Sequence, residues 1–333
     1  MTWNEKPYHS LDYEMKQHFG AKIYKIALDG GMTCPNRDGS LDTRGCIFCS
    51  AGGSGEFAEP LFSGSDAQFS SEIYPEMQKT RLTQYVHSQI EHAASRIRHK
   101  LGSAPAGYIA YFQSYTNTYA PVSYLRSLYT AAIRHPYVQI LSVATRPDCL
   151  PDEVLKLCAE LNQIKPVWLE LGLQTIHDDT AAWMRRGYDL ACFEDALSRL
   201  RGCGLEAIVH VILGLPSETR QKMLDTVQYL ARQDIQGIKL HLLHILSGTD
   251  LAAQYQQSPF PVLTMDEYVD LVIDCIALLP PHIVIHRLTG DGPKRLLLAP
   301  LWSTDKRRVL NTLTRRFRER GITQGCACLS GNP

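Results

Sequence analysis

The sequence lacks an excess of charge of either sign: 34 Lys and Arg stand against 34 Asp and Glu in 333 residues. Without a net field the chain as a whole does not steer polyanions or anionic membrane surfaces, so any nucleic-acid contact has to come from a local patch. It also lacks an apolar run approaching 18 residues, which a spanning helix needs, and its opening MTWNEKPYHS holds no apolar leader core. Export and membrane insertion are not expected, and the expected location is the cytoplasm. Low-complexity segments are absent, and no repeat is visible beyond an alternation of strand-like and helix-like stretches.

What is present fills a core. Hydrophobic residues make up 44% of the chain, at a length that an α/β barrel uses as one unit. Ten cysteines in a reducing compartment do not read as a disulfide framework. Cys149, Cys158, Cys192, Cys203 and Cys275 fall in or beside apolar helical stretches and read as core thiols.

Cys34, Cys46 and Cys49 are different. They sit in CPNRDGSLDTRGCIFCSAGGSG, spaced C-x11-C-x2-C across a loop rich in Asn, Arg, Asp, Gly and Ser, with no helical or strand period through it. Such a loop lets three sulfurs approach one centre. Soft thiolates select zinc, Cu(I) or iron-sulfur clusters, and a structural zinc site needs a fourth protein ligand, from His9 or a distant cysteine. From spacing alone, an iron-sulfur cluster with one open position, a zinc site, a dithiol redox pair and unliganded thiols all stand.

Apolar strand patterns at 22–31, 107–113, 138–147, 167–175, 205–214 and 237–245 alternate with helical patterns at 80–100, 121–135, 151 onward, 178–202 and 218–233. Apolar strands with a helix for every crossover predict a parallel sheet, here a partial (β/α)6 TIM-like barrel. The expected organisation is an arm over 1–20, the barrel core over 21–250 and a C-terminal extension over 251–333. That extension covers the barrel edge and carries a helix near 264–279, a segment at 283–288 that is a seventh strand or an edge cover, a basic helix near 304–320, and the tail thiols Cys326 and Cys328. The stretch from Gly55 to Pro75 reads as a lid or a long surface loop.

Strand parity nominates a site. In VWLELGLQT, alternation sends Leu169, Leu171 and Leu173 to the helices and Glu170 and Gln174 to the interior. Lys239 and His241 share a face, as do Tyr111 and Gln113, and His210 is another interior candidate. The polar run 113–118 follows a strand end, where barrel enzymes build their sites. One of Arg185 and Arg186 is expected to point inward, and His286 and Arg287 fall on the substrate side.

Taken together, DGGMTCPNRDGSLDTRGCIFC, YIAYFQSYTNTYAPV, ATRPDCLP, VWLELGLQT, VILGLPSET, GIKLHLLHI and IHRL, in this order over residues 20 to 300, resemble a radical S-adenosylmethionine (SAM) protein. The likeness is to the branch whose core resembles the Elongator catalytic subunit and oxygen-independent coproporphyrinogen oxidase, most nearly to the group that includes bacterial YhcC. The resemblance implies that Cys34, Cys46 and Cys49 ligate three irons of a [4Fe-4S] cluster, with SAM on the fourth. Reductive cleavage of SAM would then yield a 5'-deoxyadenosyl radical that abstracts hydrogen from a substrate. It further implies Phe48 as a shield near the cluster and adenine, Gln113 and Asn117 near the methionyl end, Glu170 and Gln174 near the sugar or methionyl groups, and Arg185 or Arg186 near the carboxylate. The eleven-residue first spacer departs from the three residues common in the wider superfamily and fits this branch.

A reducing partner such as flavodoxin or ferredoxin is implied, with a small molecule, peptide or RNA as substrate. The Elongator likeness and the arginines at 307, 308, 315, 316, 318 and 320 raise a transfer RNA substrate. A non-catalytic cluster protein with a redox, regulatory or binding role is the alternative from another class.

Overall fold

Period-two apolar strands and amphipathic crossover helices assemble here as a curled parallel sheet wrapped by helices. The computed structural model describes residues 2–53, 58, 77–101, 107–290 and 292–328. The stretch from Gly55 to Pro75, read above as a lid or loop, lies almost wholly outside the described residues, as do residues 329–333.

The elements are, in chain order, α1 (Leu11–Phe19), β1 (Tyr24–Leu28), α2 (Met77–Leu101), β2 (Tyr108–Phe112), α3 (Val122–Ile133), β3 (Val138–Thr145), α4 (Asp152–Asn162) and β4 (Val167–Gln174). Then follow α5 (Asp178–Trp183), α6 (Leu190–Gly202), β5 (Glu206–Leu213), α7 (Arg220–Leu230), β6 (Gly237–Leu242), β7 (Ile245–Leu246), α8 (Asp250–Gln257), α9 (Met265–Leu278), β8 (Val284–Arg287), β9 (Leu297–Ala299) and α10 (Lys306–Arg320). The main sheet runs β1-β2-β3-β4-β5-β6-β8, each pair parallel, while β7 and β9 form a small antiparallel ribbon. The expected parallel barrel is borne out as a partial one, because β1 and β8 remain its two edges. The segment at 283–288 is a seventh parallel strand, paired with β6.

Parity separates two cores. Leu169, Leu171 and Leu173 join the large layer between sheet and helices. Trp168 and Ile208 turn inward with Ile109 and Ile140 to form a small interior layer, closed below by Met15 of α1. The arm at 1–20 is therefore more than a polar tail. Its helix starts on the Ser10 hydroxyl and ends at Gly20, whose φ of 66° lies where glycine is favoured.

The single helical region expected at 178–202 is two helices. Arg185 (φ 57°) and Gly187 (φ 82°) break it, and Asp189 caps the second helix through the Cys192 amide. In the extension, α10 packs on α9 through charge: Arg316 bonds Asp266 and Asp270, and Arg320 bonds Asp274. With Arg315 bonded to Glu319 on its own helix, three of the six arginines proposed to meet RNA phosphate are already paired with carboxylates. The tail returns beneath the barrel, where the Gln324 amide donates to Pro280 O and Ile283 O and the Cys328 thiol to Leu278 O. That is the amino-terminal end of the strands, opposite the loop of Cys34, Cys46 and Cys49.

Candidate functional site

At the carboxyl ends of the strands the sheet opens into a cavity of about 270 Å³, and Cys34, Cys46 and Cys49 all border it. Their loop follows β1 and is held by local bonds in place of a ladder. The Arg37 and Asp38 amides donate to Cys34 O, the Gly45 amide to Asn36 O and the Cys49 amide to Cys46 O. The Arg37 guanidinium closes the loop by donating to Cys49 O (2.8 Å) and Ser50 O (2.7 Å). It lies so near Gly45 that a Cβ there would stand 2.9 Å from Nε.

Asn36 fastens this loop to the break between α5 and α6. Its buried amide donates to Arg185 O (2.7 Å) and to Cys46 Sγ (3.5 Å), and the Cys46 thiol itself points at Arg185 O. Burial and the neighbouring Cys49 push the Cys46 thiol up to about 11, with Arg146 and Asn36 pulling the other way. Burial works against the Arg37 guanidinium, yet Cys49, Tyr115 and Cys34 hold it above its usual range.

Among the described residues no three His, Cys, Asp or Glu side chains are gathered to hold a metal ion. His9 does not complete a zinc site, since its ring meets Glu14 (2.7 Å) and Pro281 O (3.1 Å) at the other end of the barrel. The donor set is three thiols bordering a cavity, flanked by guanidinium groups. That chemistry fits a cluster whose thiolate ligands each take a different iron, because such ligands surround a volume and do not converge on one ion.

The other sequence candidates divide. Phe48, Gln113, Glu170, Gln174 and Arg186 border the cavity. Phe48 packs beside Ile47 and Met184. Gln174 ends β4 at φ 69°, where the pairing with β5 shifts register, and this turns its amide along the rim. Arg186 is only 2% exposed; it donates to Leu173 O, Thr175 O and Tyr188 O, while its Nη2 is buried with no partner among the described residues. Arg185 points elsewhere, to Asp250 at 2.6 Å, and is not part of the cavity wall. Asn117 is also off the wall: its amide donates to Phe112 O and Ala144 O and locks the ends of β2 and β3 together.

Glu170 is fully buried and its two oxygens are taken. Lys25 Nζ donates to Oε1 at 2.6 Å beside the Ser142 hydroxyl, and His210 Nε2 meets Oε2 at 2.7 Å beside Lys239. Burial opposes the carboxylate, but Lys239, Lys25 and His210 hold it well below the usual range. Burial depresses both lysines, against the pull of Glu170. His210 is lowered to about 4 by burial and Lys239, and burial with Arg287 lowers His241 well below its usual value. Tyr111 lies between the two ammonium groups, 4.6 Å from Lys25 and 4.1 Å from Lys239.

Sequence reasoning missed Asn36, Arg37, Lys25 and Arg146. Lys25 carries a parity signal, being inward on β1 as Lys239 is on β6. Arg146 directly follows β3, forms a bidentate pair with Asp148 and stacks on Tyr188 beside Arg186.

The sequence profile of the Radical SAM superfamily matches residues 43–230, and that of the Radical_SAM C-terminal domain matches residues 235–319. YtqA of Bacillus subtilis is 42% identical over 96% of this chain and 92% of its own length. YhcC of Escherichia coli is 35% identical over 94% and 93%, and MJ0486 of Methanocaldococcus jannaschii 30% over 93% and 89%. Identity to YtqA exceeds that to YhcC, so the likeness is to a branch and not to one relative. Among solved structures, the archaeal Methanocaldococcus infernus Elp3 superposes with a TM-score of 0.61 at 14% identity, covering 74% of this chain and 61% of that one, which shows a shared fold.

Proposed function

Since the chain belongs to the radical SAM superfamily, we propose that Cys34, Cys46 and Cys49 hold three irons of a [4Fe-4S] cluster and that SAM occupies the fourth. Bound there, cluster and SAM supply radical chemistry, in which one-electron cleavage of the sulfonium initiates hydrogen abstraction from a substrate. The observation that carries this reading is that all three thiols, and among the described residues no other cysteine, border the cavity into which the strands open.

The chain's own groups have separable tasks. Arg37 and Arg146 offset the negative charge of three thiolates, and Asn36 holds the Cys46 sulfur in register with the α5–α6 break. The orphaned Nη2 of Arg186 is a donor for the methionyl carboxylate, since a buried unpaired guanidinium nitrogen is costly unless a ligand meets it. Gln113 and Gln174 offer neutral polar contacts on the rim. Phe48, Ile47 and Met184 keep water from that side. Glu170 acts as a keystone for the interior, because its oxygens are committed to Lys25, Lys239, His210 and Ser142.

The core is assigned to 21–250, with 1–20 as the arm closing its floor and 251–333 as the extension that adds its last strand. The substrate is left as a small molecule, peptide or RNA, and the electron donor as a flavodoxin- or ferredoxin-like protein. Anaerobic reconstitution tests the proposal: about four irons and four sulfides per chain are expected, with 5'-deoxyadenosine formed from SAM and dithionite. Alanine at any of Cys34, Cys46 or Cys49 should abolish both. Zinc without sulfide would refute it.

A further inference from the structure

Beyond the thiols, the barrel interior has three basic side chains facing a single carboxylate. Lys25 and Lys239 both donate to Glu170, whose oxygens are filled by them together with His210 and Ser142. Arg287, the last residue of β8, borders the same cavity. Its charge bears on Lys25, Lys239, Tyr111 and His241. Glu170 has no lone pair left to answer it. Among the described residues no hydrogen-bond or ion-pair partner meets the Arg287 guanidinium, whereas Arg146 pairs with Asp148 and Arg185 with Asp250.

A second group beside it is also unanswered. His241, inward on β6, has a buried Nε2 with no partner among the described residues. Gly290, three residues after β8, lies beside this ring and that of His244: a Cβ there would stand 3.3 Å from His244 Cε1 and in ordinary contact, 3.6 Å, with His241 Nδ1. A half-buried guanidinium and an unpaired imidazole nitrogen, a donor in its Nε2–H tautomer, stand on adjacent strands next to two ammonium groups with no acceptor among the described residues.

We propose that Arg287 and His241, which border the cavity from β8 and β6, form an anion subsite that receives a carboxylate or phosphate group of the substrate. Its meaning as a substrate site rests on the radical SAM reading above; its existence does not. The carboxylate of SAM is a different anion. The donor assigned to it, Arg186, belongs to the wall with Arg146 and Tyr188, whereas Arg287 and His241 lie on β8 and β6. An anion between Arg287 and His241 would also offset the like charges crowding the two lysines.

The test uses the full chain without cluster, titrated calorimetrically at constant ionic strength with inorganic phosphate and, separately, with succinate. Saturable binding of at least one is expected, and the stronger of the two identifies the group. Arg287→Gln should weaken it by about tenfold or more, the scale of one lost charge-assisted contact. Arg318→Gln, on the exposed face of α10, should leave it unchanged. Should Arg287→Gln not fold, as judged by its melt, His241→Leu, which removes the ring nitrogens without adding a donor, carries the same expectation. Repeating the titration on reconstituted protein saturated with SAM should preserve binding. Absence of saturable binding, equal binding by the folded Arg287→Gln chain, or displacement by SAM would overturn the subsite. Because the first titration needs no cluster, failure of the subsite and failure of SAM cleavage are separate results.

Discussion

Glu170 and Asn36 show at the scale of single residues how far a side chain's neighbours alter its meaning. Strand parity turns Glu170 inward, and a buried carboxylate has to be paired. Of its partners, Lys239 is buried and Lys25 half-buried, so removing the carboxylate leaves two ammonium groups without it. Glu170→Gln is expected to lower stability by about 3–5 kcal/mol, the range for breaking a buried ion pair. Urea unfolding checks this, and a loss below 1 kcal/mol would show that the lysines had found other partners. Asn36 works through an N–H···S contact, and such bonds to cluster sulfurs raise reduction potential. Asn36→Ala should therefore lower the potential of the reconstituted cluster in an anaerobic redox titration. An unchanged potential would leave Asn36 a loop fastener only.

Among elements, α9 is the clearest case of local sequence deciding structure. Thr264 and Glu267 form a reciprocal capping box, and Asp266, Asp270 and Asp274 face the arginines of α10. Thr264→Ala should cost about 1 kcal/mol, read as a lower melting midpoint with the sheet's circular dichroism intact. The same kind of signal was present for α1, in Ser10 and Gly20, but nine polar and apolar residues read as a tail until the barrel floor offered them Trp168 and Ile208. The break at Arg185 to Gly187 was less legible. Gly187 marks a turn, yet only the approach of Asn36 and Arg146, 2.9 and 3.1 Å from a Cβ placed there, makes glycine necessary. That break carries Arg186 into the cavity and sends Arg185 out to Asp250.

For the whole molecule, the buried interior makes stability depend on pH. His210, His241 and His286 are all held below the ordinary histidine value of about 6.5, by burial first and then by Lys239, Arg287 and Lys25 respectively. The unfolded chain binds more protons than the folded one below that value, so their contribution is complete above about pH 6.5 and is lost as pH falls through the folded-state values, about 4 for His210. Urea midpoints should drop between pH 7.5 and 5. His286→Leu, whose ring lies against Trp168 and under the charges of Lys25, Glu170, Lys239 and His210, should reduce the slope. Equal slopes in both proteins would remove His286 from the account.

Read alone, the chain determines its strands and crossovers, the inward parity of Glu170, Gln174, Lys239 and His241, and the three-thiol loop, because each depends on residues close in sequence and on a fixed two- or 3.6-residue period. Tertiary structure decided which arginine enters the cavity, that Asn117 ties strands together off its wall, that Glu170 has no free oxygen, and that Cys326 and Cys328 lie opposite the cysteine loop. Those outcomes depend on contacts between residues far apart in sequence, such as Lys25 with Glu170 at 145 positions, Asn36 with Arg186 at 150 and His9 with Gln324 at 315. No local period encodes such distances; they exist only once the sheet has curled and brought its two edge strands toward one interior.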